Sequence, residues 1–168
     1  MIHVEPRIIA FLCQWCAGEG ADAAGRVRLD VPTNLRGVRV PCSGRISPGL
    51  VLEALSRGAD GVLILGCRLG ECHYRDGNSR AMAQVALLRR VMAPLGIEPE
   101  RLGLEWVAAG EGQRFAQVVL DMVEQLRRLG PLGRFAERGR ISWRPREEVP
   151  LHIPSAEGTG VFPKETDS

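Results

Sequence analysis

The feature that most constrains the fold is a set of four short apolar runs spaced along the first two thirds of the chain. Each run is continuous rather than alternating in polarity, which is typical of strands buried on both faces of a parallel sheet. The runs are "RIIAFL" (7–12), "VRV" (38–40), "GVLIL" (61–65) and "LGLEWV" (102–107). Since segments of helical character follow them, we predict four strands that alternate with four helices.

The first two helices are marked unequally by the sequence. The first, at about 20–29, is rich in glycine and therefore weakly indicated. The second has Ser47 as a candidate cap, Pro48 at its first helical position and Gly58 to close its end.

The third and fourth helices are longer. Asn78 is a candidate cap for the third, which we expect to end near Pro94. The fourth follows Gly112 and carries an amphipathic stripe at three- and four-residue steps. The stripe consists of Phe115, Val118, Val119, Met122, Leu126 and Leu129. The alternation of strands and helices predicts a small, doubly wound, flavodoxin-like α/β fold, with a four-stranded parallel sheet and flanking helices.

The character of the chain changes after Gly130, where prolines, glycines and mixed charges replace any sustained period. We therefore predict an α/β domain over 1–131 and an extended or disordered tail over 132–168. Three aromatic residues of the tail, Phe135, Trp143 and Phe162, can anchor on a partner. Docking is thus the alternative to a passive extension.

Composition and charge exclude several classes of function. The chain has 168 residues and a net charge of +2, without a basic stripe interleaved with aromatics, so we expect no nucleic-acid partner. No apolar run approaches the roughly 20 residues of a membrane span, and the apolar run near the N-terminus is too short for a signal peptide. We expect a cytoplasmic protein, in which five cysteines indicate metal or redox chemistry rather than disulfides.

All five cysteines lie at the carboxyl ends of three successive predicted strands. Cys13 and Cys16 follow the first strand, Cys42 follows the second, and Cys67 and Cys72 follow the third. Open α/β sheets bind ligands at this edge, near the point where the strand order reverses. If the first strand is central, the three loops converge, and the sequence predicts a thiolate site.

Thiolates bind iron–sulfur clusters and structural zinc. The spacing here, one CxxC, one single cysteine and one CxxxxC, suits a cluster better than the paired CxxC motifs of zinc. A [2Fe–2S] cluster takes four ligands and leaves one thiol spare. We expect Gly44, Gly66 and Gly70 to let the backbone approach the cluster and to present N–H groups to it. Two alternatives stay open: a thiol–disulfide oxidoreductase that uses Cys13 and Cys16, and a zinc-stapled interaction module.

The five cysteines are not equivalent as candidate ligands. Cys67 and Cys72 lie in the tightest glycine-rich loop, and Cys13 is nearest to the end of its strand. We rank them, from strongest to weakest, as Cys67, Cys72, Cys42, Cys13 and Cys16. His73 is more typical of a supporting or surface residue than of a ligand.

Four segments of the chain resemble the delta subunit of methyl-viologen-reducing hydrogenase, the MvhD or FlpD-like family. They are "FLCQWCAGEGADAAG", "RVPCSGRI", "GADGVLILGCRLGECHYRDGN" and "ERLGLEWVAAGEG", within about 7–131. The resemblance implies a small α/β domain with one [2Fe–2S] cluster and identifies all five cysteines as the family's own. It also implies a non-catalytic electron-transfer subunit of an oxidoreductase complex. Its expected partners are a hydrogenase or formate dehydrogenase module and the flavin-containing A-type subunit of heterodisulfide reductase.

Overall fold

The computed structural model of the chain describes residues 5–132, in which four strands alternate with four helices. The strands are β1 (Ile8–Cys13), β2 (Leu35–Val40), β3 (Gly61–Gly66) and β4 (Leu102–Trp106). The helices are α1 (Ala17–Arg26), α2 (Pro48–Ser56), α3 (Gly77–Met92) and α4 (Gly112–Leu129). The tail predicted over 132–168, with its docking role, lies outside the described residues except for Leu132, and stays a prediction.

The four strands form one parallel sheet in the order β2-β1-β3-β4. β1 is paired on both sides, so that Phe11 lies opposite Val38 of β2 and opposite Ile64 of β3. The strand order reverses between β1 and β3, as in the flavodoxin-like arrangement. The predicted fold class is therefore confirmed.

Helices cover both faces of the sheet and give the domain two apolar layers. On one face α1 and α4 pack against β1 and β3, and on the other face α2 and α3 do so. The predicted stripe of α4 is buried from Phe115 to Leu126, with Leu129 partly buried against the same layer. None of the helices described here is both long and apolar enough to cross a membrane.

The prediction that every strand is buried on both faces is wrong for β2. This strand lies at the edge of the sheet, and its central residues from Arg36 to Arg39 are exposed. Arg39 reaches across to α1, where it donates hydrogen bonds to Asp22 (2.5 Å) and to the carbonyl oxygen of Gly18 (3.3 Å). β2 is thus held against α1 partly by polar contacts, whereas the inner strands are packed against apolar side chains of the helices.

The helix starts and caps predicted from the sequence agree with the structure for α2 but not for α1 and α3. The cap of α2 is confirmed, because Ser47 Oγ accepts a hydrogen bond from the N–H of Leu50 at 3.3 Å. The predicted start of α1 is wrong: the helix already begins at Ala17, and the carbonyl oxygen of Cys16 accepts the N–H of Gly20 at 2.8 Å. Asn78 does not cap α3, since it lies buried inside the first turn.

A buried polar network holds the end of α4 at the amino edge of the sheet, opposite the cysteines. Asp60 accepts the backbone N–H groups of Arg7 (2.8 Å) and Leu132 (3.0 Å). The guanidinium of Arg101 is buried and donates to the carbonyl oxygens of Asp60 and Gly130, each at 3.0 Å. A buried guanidinium is tolerated because its donors are satisfied in this way.

Glycine at position 112 allows α1 and α4 to approach closely, and its replacement tests this packing. A Cβ at Gly112 would lie 2.6 Å from the backbone nitrogen of Ala24, so we expect Gly112→Ala to lower the free energy of unfolding by about 1–3 kcal/mol. Gly25→Ala is the matched control, because a Cβ there meets no atom within 4 Å. The control should raise the stability by about 0.5–1 kcal/mol, as alanine does within a helix. Urea unfolding followed by circular dichroism measures both, and equal effects of the two substitutions would contradict the packing described.

Candidate metal centre

Three of the five thiols meet where the strand order reverses, and we call Cys13, Cys16 and Cys67 the thiol triad. Cys13 is the last residue of β1, Cys16 immediately precedes α1, and Cys67 immediately follows β3. Their Sγ atoms all lie within 4.8 Å of one another, and those of Cys13 and Cys67 are 3.7 Å apart. All three residues are buried. The topology of the sheet thus brings together thiols that are far apart in sequence.

The remaining thiols, Cys42 and Cys72, form a second group that we call the thiol pair. A Cβ built on Gly77 would lie 2.1 Å from Cys42 Sγ and 3.2 Å from Cys72 Sγ, so both sulfurs face the first turn of α3. The pair adjoins the triad, because Cys13 Sγ lies 3.9 Å from the carbonyl oxygen of Pro41, the residue before Cys42. All five predicted ligands therefore lie at one edge of the sheet.

Backbone N–H groups at the beginning of α3 and in the loop just before it stabilise a negative charge on Cys72. Burial alone would raise the pKa of this thiol, but the backbone N–H groups of Tyr74, Asn78 and Gly77 outweigh burial and lower the pKa. N–H groups at a helix N-terminus are well suited to a thiolate, since the helix dipole has its positive end there. Cys72 is also the one partly exposed thiol of the five.

The pKa values of Cys13 and Cys16 are shifted in opposite directions. A hydrogen bond from the Cys16 thiol, together with the N–H of Trp15, lowers the pKa of Cys13 to about 5. The same hydrogen bond, with burial, raises the pKa of Cys16. Of the two, Cys13 is therefore the thiol that loses its proton more readily.

Backbone N–H groups face four of the five sulfurs. The donors to Cys13 and Cys72 are described above. The N–H of Gly44 faces the sulfur of Cys42, and the N–H of His73 faces the sulfur of Cys67. Burial is the larger effect at these two residues and raises the pKa of both. Cys16 is different, because the main causes of its raised pKa, within the described residues, are the neighbouring thiols and burial. Backbone N–H groups thus favour a negative charge on four of the sulfurs, although only at Cys13 and Cys72 is the pKa lowered overall.

The geometry of these sulfurs fits a tetrahedral thiolate centre. Ligands on a tetrahedral ion with metal–sulfur bonds of about 2.3 Å lie about 3.8 Å apart. The 3.7 Å between the sulfurs of Cys13 and Cys67 is close to this separation. A single ion would need a fourth ligand beyond the triad, whereas two adjoining groups of thiols suit a centre with two metal ions. The residues present therefore fit the predicted cluster.

The glycines predicted to face the cluster also have a packing reason to be glycine. A Cβ at Gly44 would lie 2.7 Å from the carbonyl oxygen of Gly77, so the loop after Cys42 packs directly on α3. A Cβ at Gly66 would lie 2.7 Å from Ser43 Oγ. Gly70 has φ of +84°, which favours glycine for its backbone alone. Direct approach of these residues to a cluster stays a prediction.

Two residues that shape the site, Gly77 and Asn78, are not recognisable as site residues from the sequence. Asn78 is 1% exposed and donates from Nδ2 to the carbonyl oxygens of Cys67 (3.3 Å) and Arg68 (2.6 Å). It thereby fixes the beginning of the β3–α3 loop (67–76) against the helix. An asparagine near a helix start is more often a cap, and the sequence carries no signal that separates the two roles.

The family model for the delta subunit of methyl-viologen-reducing hydrogenase matches residues 8–130. The chain belongs to this family. The match spans all four strands, all four helices and the five cysteines. The resemblance of the four sequence segments is therefore confirmed.

Relatives of this delta-subunit domain occur as separate chains and as a part of larger ones. The chain is 47% identical over 127 residues to an iron-sulfur subunit of the F420-non-reducing hydrogenase of Archaeoglobus profundus, covering 76% of this chain and 93% of the relative. The corresponding vhc iron-sulfur subunit of Methanococcus voltae is 42% identical over 137 residues, covering 82% and 95%. The A-type subunit of the ferredoxin:CoB-CoM heterodisulfide reductase of Methanosarcina mazei is 45% identical over 128 residues, 76% of this chain but 16% of that protein. These relatives are subunits of oxidoreductase complexes.

Substitution of Gly77 tests whether the thiol pair belongs to the metal centre. A Cβ at this position would lie 2.1 Å from Cys42 Sγ, so we expect Gly77→Ala to displace that sulfur and to reduce bound metal to below about a tenth of the wild-type amount. Metal per chain after anaerobic reconstitution is the measurement. Gly25→Ala serves as the control and should bind metal normally. Wild-type metal content in Gly77→Ala would show that the pair lies outside the centre.

Proposed function

We propose that this protein is an electron-transfer subunit that binds one [2Fe–2S] cluster through four of its five cysteines. The observation that carries the proposal is the meeting of the thiol triad and the thiol pair at one edge of the sheet. Membership of the delta-subunit family supports it, and so do relatives that are named iron-sulfur subunits.

The ligand set that best fits the site takes two thiols from each group. The pair supplies Cys42 and Cys72, and the triad supplies Cys13 and Cys67, whose sulfurs are 3.7 Å apart. Backbone N–H groups serve these four sulfurs, whereas Cys16 has other thiols as its main neighbours. Cys16 is then the spare thiol, in agreement with its last place in the sequence ranking.

When bound, a [2Fe–2S] cluster supplies one-electron chemistry at a potential that hydrogen bonds to its sulfurs adjust. The chain's own contribution is to hold four thiolates in place and to direct N–H groups at them. The N–H group of Tyr74, with those of Asn78 and Gly77 at the start of α3, stabilises negative charge on Cys72. Burial of the other thiols keeps water away from the site.

The relatives also suggest which partners the protein has. The same domain is a separate iron-sulfur chain in hydrogenases and a part of the A-type chain in the heterodisulfide reductases of Methanosarcina. Two domains that are fused in one chain in some organisms commonly bind each other when other organisms make them as separate chains. We therefore propose docking on a flavin-containing A-type subunit, with a hydrogenase or formate dehydrogenase module as the other electron partner, in the cytoplasm.

A thiol–disulfide oxidoreductase is the second candidate, favoured by the lowered pKa of Cys13 beside Cys16, whose pKa is raised. Cys13 is 1% exposed and Cys16 is 5% exposed, however, so neither sulfur is open to attack by a substrate disulfide. A zinc-stapled module fits the all-thiolate donor set as well. The three functions differ in whether the protein binds iron with sulfide, binds zinc, or binds no metal.

Metal and sulfide analysis of anaerobically purified protein tests the proposed function. We expect about two irons and two acid-labile sulfides per chain, with a brown colour, as the two-iron cluster type requires. Stoichiometric zinc without sulfide would identify the interaction module instead. Protein that holds no metal after reconstitution, but exchanges disulfides, would identify the oxidoreductase.

A series of single cysteine-to-serine variants tests the ligand set. Cys16→Ser should keep the wild-type iron content and visible spectrum, because the four proposed ligands remain. Cys67→Ser and Cys72→Ser should each lose most of the iron, since each removes a thiolate from the centre. Iron per chain and absorption between about 400 and 600 nm, roughly the range of sulfur-to-iron charge transfer, are the measurements. Loss of the cluster in Cys16→Ser with retention in Cys67→Ser would reverse the assignment.

A further inference from the structure

Trp15 connects the two loops that carry four of the five cysteines. It lies between Cys13 and Cys16, and its ring stacks on that of His73 with centroids 3.8 Å apart and planes inclined by 14°. Its Nε1 donates a hydrogen bond to Tyr74 Oη at 3.3 Å, across 59 residues of sequence. These contacts join the loop before α1 to the middle of the β3–α3 loop.

The β3–α3 loop is tied to α3 at Cys72, whose sulfur adjoins Gly77, and at Asp76, which pairs with Arg80 at 2.9 Å. Asn78 fixes its beginning, at Cys67 and Arg68. Beyond that point the residues are exposed except for the partly buried Cys72, and the backbone hydrogen bonds among residues 69–76 run within the loop. Within residues 5–132, the side chain of Trp15 supplies the contacts that reach His73 and Tyr74 from the loop before α1.

The segment that Trp15 holds is the one that completes the thiol site. The backbone N–H of His73 faces Cys67 Sγ, and Cys72 is the residue before His73. A shift of the His73 ring would therefore move both an N–H donor and a thiol. Trp15 and Tyr74 are 45% and 48% exposed, so their rings also form the outer wall of the site beside its most accessible thiol.

We infer that Trp15 is a positioning residue that closes the β3–α3 loop over the thiol site and limits the access of solvent and solutes to it. In the metal-free protein the same contacts limit access to Cys72. With the proposed cluster bound, they slow its release and keep the His73 N–H directed at sulfur. The second of these effects rests on the proposed function, whereas the first does not.

Three variants separate the contacts that Trp15 makes. Trp15→Ala removes both the stack and the hydrogen bond, Trp15→Phe keeps a ring that can stack, and Tyr74→Phe removes the acceptor alone. Leu120→Ala is the matched control, because Leu120 is a large apolar residue of similar exposure, 44%, on the outer face of α4. All of these side chains are largely on the surface, so the thermal midpoint of unfolding should stay within a few degrees of wild type.

The first measurement uses the full-length, metal-free, reduced protein and needs no cluster. We expect iodoacetamide to alkylate Cys72 about tenfold faster in Trp15→Ala, since access follows the local opening of the loop and tenfold corresponds to about 1.4 kcal/mol of lost contact. Trp15→Phe should be within about threefold of wild type, because most of the stack remains. Mass spectrometry of the peptide that contains Cys72 gives the rate.

The second measurement uses the reconstituted protein. Trp15→Ala should load the wild-type amount of iron but release it to a chelator about tenfold faster. The reduced protein should also show an altered electron paramagnetic resonance spectrum, because the His73 N–H is no longer held against sulfur. A merely structural role would change the thermal midpoint and leave the spectrum as it was.

Wild-type alkylation of Cys72 in Trp15→Ala would overturn the inference, as would an equal acceleration in Leu120→Ala. If Cys72 is alkylated faster in Trp15→Ala but the protein binds no iron on reconstitution, the closed loop is supported and the proposed function is contradicted. The two outcomes are thus separable.

Discussion

A parallel sheet has the carboxyl ends of all its strands at one edge, and the rest of this structure depends on that polarity. β1 lies between β2 and β3, so the residues that follow these three strands meet above the centre of the sheet. Cysteines that are far apart in the chain, such as Cys13 and Cys67, thereby come within 3.7 Å at their sulfurs. No disulfide or local motif is needed to assemble the site, because the backbone hydrogen bonds of the sheet do so.

The same polarity determines the electrostatics of the site. Helices that return to the amino edge must begin at the carboxyl edge, so the N-termini of α1 and α3 lie beside the thiols. The pKa of Cys13 is lowered by the Cys16 side chain and by N–H groups just before α1, and the pKa of Cys72 is lowered, despite burial, by N–H groups of Tyr74 and of the first turn of α3. Several thiolates in one site would otherwise repel one another, and these donors offset part of that repulsion.

Much of the fold is predictable because its signals are local. Continuous apolar runs locate the four strands, Ser47 and Pro48 locate α2, and the stripe from Phe115 to Leu126 locates α4. The meeting of the cysteines is also predictable, since it follows from strand polarity and a central β1. The exposure of β2 is not, because a short run such as "VRV" is the same on an edge strand as on a central one.

The details of the site depend on contacts that sequence spacing does not encode. The position of Asn78 is typical of a helix cap, whereas its amide ties the carbonyls of Cys67 and Arg68 to α3. The requirement for glycine at 77 comes from the sulfur of Cys42, on a different loop. The stack of Trp15 on His73 depends on two loops from opposite sides of the switch point. Each of these contacts is between segments that only the folded sheet brings together.

The central claim is that the triad and the pair hold one two-iron centre rather than separate sites. Mössbauer spectroscopy of protein reconstituted with ⁵⁷Fe and reduced with dithionite tests this most directly. The account predicts equal amounts of ferric and ferrous iron, both in all-sulfur coordination and coupled to a single spin of one half per chain. Uncoupled high-spin iron in a single environment, typical of an isolated ion on the triad, would contradict it.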